Sequence, residues 1–229
     1  MENTGAIYGV SSLKYNGSAL GLISEDGMQP GGDSPTKNRI WAAQKRNAPF
    51  AVIKGNSVLK KGCTVGSFCY ICNSVIGQYT QVRASRLTDC TVGDNCVVGP
   101  YAHLRDGAVV GNDCRVGNFV EVKRSRLADR VKAAHLAYIG DAEVGSDTNV
   151  GCGVIFVNYD GKTKHRTKVG NNCFIGCNSN LVAPLHIGNN CFVACGTTVD
   201  KDAPDGAFLI GRSYVVVKEG RAHKYLSGD

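Results

Sequence analysis

The sequence is poor in aromatic bulk: one Trp, seven Phe and nine Tyr stand beside 29 glycines in 229 residues. That balance excludes a core filled by large rings and points to frequent tight turns around a narrow interior. No apolar run approaches the ~18 residues that a membrane-spanning helix needs. Met1–Ile23 has neither the basic start nor the unbroken apolar core of a secretion signal. A cytoplasmic location with no membrane partner is therefore expected. The net charge of +7 suits nucleic acid, an anionic surface or small phosphorylated ligands. Lacking a Lys/Arg block or an RNA-binding signature, the chain is not expected to bind nucleic acid. Eleven cysteines would mark disulfides in a secreted domain or metal in a cytosolic one. With no secretion signal, the disulfide reading is weak.

What is present changes at about residue 50. Residues 1–50 form an irregular N-terminal extension, loop-like at Gly27–Thr36, with a short helix expected only over Asn38–Arg46. Beyond it an aliphatic residue returns every six positions, with a few steps of five. The series begins Leu59, Val65, Ile71, Ile76, Val82, Leu87, continues to Phe156, and resumes from Val169 to Val199. Glycine often follows directly, as in Val65-Gly66, Val116-Gly117 and Ile175-Gly176. A six-residue period fits neither an α-helix nor a hairpin meander. It predicts an all-β parallel β-helix, a hexapeptide-repeat solenoid with three repeats per triangular coil and roughly eight coils. The left-handed sense comes from the likeness to hexapeptide-repeat proteins, against the usual right-handed rule. The expected limits are an extension over 1–50, a solenoid over 51–204 interrupted by a loop at 157–168, and a tail over 205–229.

The register gives most cysteines an ordinary task. Cys63, Cys69, Cys90, Cys96, Cys114, Cys173 and Cys191 each lie two residues before an inward aliphatic, where a small hydrophobe packs well. It also turns distant positions into columns. His135, Cys152, Cys177 and Cys195 each lie two residues beyond an inward residue of one face and should form a ladder suited to a long, thin ligand such as pantetheine. Arg105 and Lys123 should stack one coil apart, a costly pairing unless an anion sits between them, beside a column of His103, Glu121 and Tyr138. A solvated basic patch is the plainer explanation of the same spacing. The break at Asn158–Thr167 (NYDGKTKHRT) is the kind of loop that carries function, although a tolerated insertion has the same appearance.

From about Gly55 to Gly220 the chain resembles the C-terminal acetyltransferase half of the bifunctional N-acetylglucosamine-1-phosphate uridyltransferase/glucosamine-1-phosphate acetyltransferases. The segments that carry the resemblance are Gly117–Ala128 (GNFVEVKRSRLA), Ala134–Gly145 (AHLAYIGDAEVG), Val157–Lys164 (VNYDGKTK), Asn180–Gly188 (NLVAPLHIG), Ala194–Asp202 (ACGTTVDKD), Gly211-Arg212 and Lys218–Gly220. The resemblance implies His135 as the general base. It implies Arg105 and Lys123 on phosphate, Tyr138 and Asn149 on the sugar, and Lys164 reaching the acceptor from the loop. Asn158 and Tyr159 would lie between acceptor and donor, the backbone at Cys152 would meet the thioester carbonyl, and Cys177, Cys195 and Arg212 would line the coenzyme A site.

The implied enzyme is an acetyl-CoA-dependent N-acetyltransferase on glucosamine 1-phosphate or a related phosphorylated or nucleotide-linked amino sugar. It would require no metal and would act as a homotrimer with active sites between subunits. Two departures stand out. No Gly-rich nucleotide loop of the Leu-Ala-Ala-Gly type occurs, so uridyl transfer is not expected, and Cys177 and Cys195 replace the Ser and Ala typical of the coenzyme A wall. Acyl transfer to another amine or a hydroxyl is an alternative, as is a non-catalytic trimeric scaffold. The γ-class carbonic anhydrases share the solenoid, but no three of His103, His135, His165, His186 and His223 fall into a zinc register.

Overall fold

The computed structural model describes residues 48–222. The expected helix at Asn38–Arg46, and the extension up to residue 47, lie outside the described residues. Within them the chain forms 24 short strands, all paired in parallel, and no helix. The strands coil into a left-handed parallel β-helix of about nine turns.

Three flat faces meet at sharp corners. The first face stacks nine strands from Val52–Lys54 to Thr198–Val199. The second stacks eight, from Val58–Leu59 to Leu185–Ile187. The third runs from Thr64–Val65 to Phe208–Leu209. Two nine-residue strands, Arg115–Lys123 and Lys132–Gly140, pass from the third face to the first without a break. They weld those two faces into one 16-stranded sheet. The coil also continues past residue 204, because Phe208–Leu209 pairs with Phe192–Val193.

The inward aliphatics stack in register: Leu104 on Val122, Val122 on Ile139, and Phe156 on Leu181. Each of these is fully buried. Such ladders are why a narrow solenoid needs no large aromatic core, since each side chain covers the one below it. Cys63, Cys69, Cys90, Cys96, Cys114, Cys173 and Cys191 are buried among them, as the register predicted. At the corners the backbone turns through the left-handed region, mostly without glycine. Asn95, Asp113, Asp147, Asn172 and Asn190 do so with φ between 54° and 60°. Asn and Asp tolerate that conformation because their short polar side chains bond locally. Glycine is required for a different reason at Gly117, where an added Cβ would fall 1.7 Å from the carbonyl oxygen of Ala134 on the next coil.

Candidate active site

The strand Lys132–Gly140 carries His135 at the corner between the third and first faces. The imidazole is exposed, and its Nδ1 lies 2.7 Å from Oδ1 of Asn118, the residue directly below it in the ladder. An amide oxygen only accepts, so Nδ1 donates, and in the neutral ring Nε2 carries the lone pair. Asn118 was not foreseen from sequence. Its signal was available, because it precedes His135 by one coil of 17 residues.

Three residues on, the same strand reaches the first face with Tyr138, above Glu121 and beside Lys123. Arg105 pairs directly with Lys123, as expected. The Arg105 guanidinium donates from Nε to Glu121 at 2.7 Å and from Nη1 to Asp106 at 3.0 Å. Lys123 is buried, and among the described residues the only carboxylate facing its ammonium is that of Asp106, at 3.9 Å. The loop brings Lys164 against it. Lys164 first, then burial, then Arg105 and Arg124 hold the Lys123 pKa below the ordinary lysine range. Among the described residues Lys164 makes no ion pair with a carboxylate. An anion placed among these cations would relieve their mutual repulsion.

The loop is built rather than slack. Asp160 accepts from the backbone N–H groups of Lys162 and Thr163, from the Thr163 hydroxyl and, at 2.7 Å, from His165 Nε2. The Thr163 amide, followed by His165, drives the Asp160 carboxyl well below the usual range. An antiparallel bridge from Tyr159 to Lys164 closes the hairpin. At its base the buried Asn158 donates from Nδ2 to the buried Asp141, which also holds Arg124 at 3.3 Å. Asp141 is a second residue that sequence reasoning missed. It stands one coil, 17 residues, before Asn158.

Arg105, Lys123, Tyr138, Asn158 and Lys164 therefore gather along the first face and its loop, with Tyr159 exposed on the hairpin. Asn149 does not join them. It lies on the third face, between Lys132 and Phe174. Cys152, Cys177 and Cys195 are exposed and stack above His135 along the corner. Arg212 reaches back from the chain after the last strand, its Nη2 3.4 Å from the Cys195 sulfur. On the third face Phe174, Phe192 and Phe208 stack with ring centroids 4.8 and 5.5 Å apart, an apolar column that was not anticipated. Among the described residues no group of three or more His, Cys, Asp or Glu side chains is arranged to hold a metal ion.

The comparisons agree with the fold. The family model of bacterial transferase hexapeptides (six repeats) matches residues 89–124 and 166–201. A bifunctional protein GlmU of Clostridium botulinum (strain Langeland) is 47% identical over 172 residues, 75% of this chain and 38% of that protein. The bifunctional protein GlmU of Acholeplasma laidlawii is 52% identical over 178 residues, 78% of this chain and 38% of that protein. The chain thus spans about two fifths of the length of these relatives. Among solved structures, the UDP-N-acetylglucosamine acyltransferase from Campylobacter jejuni shares the fold, with a TM-score of 0.50 at 17% identity over 68% of this chain and 67% of that one. Repeat, coil and relatives converge on one reading: the chain is a hexapeptide-repeat β-helix, similar over about three quarters of its length to part of the bifunctional GlmU proteins.

Proposed function

We propose that the protein transfers an acetyl group from acetyl-CoA to the amine of glucosamine 1-phosphate or a closely related phosphorylated amino sugar. The observation that carries this reading is that one strand, Lys132–Gly140, holds an oriented imidazole at one end and enters a cation cluster at the other. The cluster of Arg105, Lys123 and Lys164 takes the phosphate. Tyr138, Asn158 and Asn149 take the sugar. The amine attacks the thioester carbonyl, His135 Nε2 accepts its proton, the C–N bond forms, and the C–S bond breaks as the coenzyme A sulfur leaves and takes up a proton. An ammonium has no lone pair, so without a base the attack fails at neutral pH. Backbone N–H groups around Cys152 stabilise the oxyanion.

The donor lies along the corner lined by Cys152, Cys177, Cys195 and Arg212, with Tyr159 and Asn158 at its inner end. A column of small side chains beside stacked Phe174, Phe192 and Phe208 suits a thin, partly apolar pantetheine arm. Because Asn149 lies on the third face and the phosphate seat on the first, the full set is completed by a second copy packed against this corner, in a homotrimer.

The test is coenzyme A release from acetyl-CoA with glucosamine 1-phosphate, comparing the parent with His135→Ala. Turnover that drops by about 10²-fold or more in the variant supports both acceptor and base. A folded oligomer that binds acetyl-CoA without turnover rules out this acceptor, and one that binds no coenzyme A at all supports a scaffold.

A further inference from the structure

Three exposed thiols stand in single file on the proposed donor wall. Val150 pairs with Ile175 and Ile175 with Val193, which places Cys152, Cys177 and Cys195 on successive rungs. Backbone bonds of 2.8 Å from Asn178 N–H to the Cys152 carbonyl and from Gly196 N–H to the Cys177 carbonyl lock that register just past each sulfur. Cysteines on adjacent rungs sit roughly 4.8 Å apart along the coil axis. That falls inside the Cα–Cα range of about 4.4–6.8 Å over which a disulfide closes. Cys152 and Cys195 are two rungs apart, roughly 9.6 Å, beyond that range.

The interior supplies a comparison within the same chain. Cys96 and Cys114 also occupy neighbouring rungs, with Cys114 N–H donating to Cys96 Sγ at 3.4 Å, and Cys173 has Cys191 as a partner. All four are buried. Burial also raises the Cys173 thiol, and the bond to Cys96 together with burial raises that of Cys114. Spacing is therefore the same inside and outside, and access to a solvent oxidant separates the two sets. At the outer end Arg212 donates a hydrogen bond to the Cys195 sulfur.

We propose that Cys177 is the centre of a reversible thiol-modification site, closing a disulfide to Cys152 or to Cys195 under a hydroperoxide and so shutting the donor groove. In that step two S–H bonds break and one S–S bond forms. The two electrons and two protons reduce one peroxide O–O bond, giving water and, for hydrogen peroxide, a second water. Because Cys177 is the shared partner, only one bridge forms per chain and one thiol of the three remains. The bridge replaces two sulfhydryls with a rigid link across the wall where the pantetheine arm would lie. The effect on the donor rests on the acetyl-CoA reading above; the bridge itself does not.

The test treats the full chain with hydrogen peroxide and measures intact mass, non-reduced peptide maps and acetyl-CoA binding. The expected result is a loss of 2 Da (two hydrogens) per chain, with Cys177 joined to Cys152 or Cys195. Dithiothreitol reverses it, Cys177→Ser abolishes it, and acetyl-CoA binds about tenfold or more weakly to the oxidised protein. No loss of 2 Da, a bridge mapped to Cys96–Cys114 or Cys173–Cys191, or an equal loss in Cys177→Ser overturns the proposal. A mapped bridge with unchanged acetyl-CoA affinity overturns the gating. A reduced protein that takes up no acetyl-CoA overturns the donor-wall reading itself, leaving the mapped bridge intact.

Discussion

At the scale of the residue, Asn118 and Lys123 carry the clearest expectations. Asn118 touches His135 and fixes which ring nitrogen bears hydrogen. Asn118→Ala should lower kcat by about tenfold or more while KM for the acceptor stays close to the parent's, since orientation is lost and binding is not. Steady-state kinetics with both substrates separates the two. Lys123 is held below the ordinary lysine range by Lys164 and burial. A lysine with a lower pKa folded than unfolded penalises the fold while both states are protonated, and stability rises with pH once the folded state sheds its proton ahead of the unfolded one. Lys123→Met should therefore leave the apo Tm unchanged or higher, yet abolish most of the Tm rise produced by glucosamine 1-phosphate. A scanning-fluorimetry comparison with and without the sugar phosphate checks both halves. Neither Asn118 nor Asp141 was singled out from the sequence. Their roles depend on the residue one coil away, and coils of 16, 17 or 18 residues put that neighbour at no fixed offset. Arg105 and Lys123 were legible because both lie directly beside inward aliphatics, whose register is plain.

At the scale of the element, the inserted hairpin and the long corner-crossing strands matter most. Asp160 organises the hairpin through two backbone N–H groups, Thr163 and His165. Its depressed carboxyl contributes order above the ordinary aspartate range, and that order is lost only as pH falls through the lowered value, so the loop stays set at neutral pH. Asp160→Ala should raise KM for the sugar phosphate several-fold, because Lys164 is no longer presented, with acetyl-CoA affinity unchanged. Gly117 lies in the strand beneath His135, and a methyl group there meets backbone that cannot yield. Gly117→Ala should cost about 1–3 kcal/mol in chemical denaturation and also reduce kcat by displacing Asn118. The six-residue period disclosed the faces and the inward ladder. It did not disclose that Arg115–Lys123 and Lys132–Gly140 run straight across a corner, because the two hexapeptides within each keep their usual spacing. It also placed Phe208–Leu209 in the tail, since that strand follows the last regular repeat at an irregular interval.

At the scale of the whole molecule, the proposed site is divided between surfaces that point in different directions. If two copies share each site, a mixture of His135→Ala and Asn149→Ala chains, refolded together, should recover activity that neither variant shows alone. Recovery would approach the statistical fraction of sites that contain neither substitution, and no recovery would place the whole site on one chain. The ladder has a further consequence, for how the protein comes apart. Among the described residues the strands of each coil pair only with those of the coil above and the coil below. Such an array behaves as a line of coupled neighbours, so opening starts where a coil has one neighbour instead of two. Amide exchange should therefore be graded along the axis, slowest around Val116–Ile139 and fastest at Val52–Lys54 and Phe208–Leu209. The chemistry proposed here would then sit in the most slowly exchanging part of the chain.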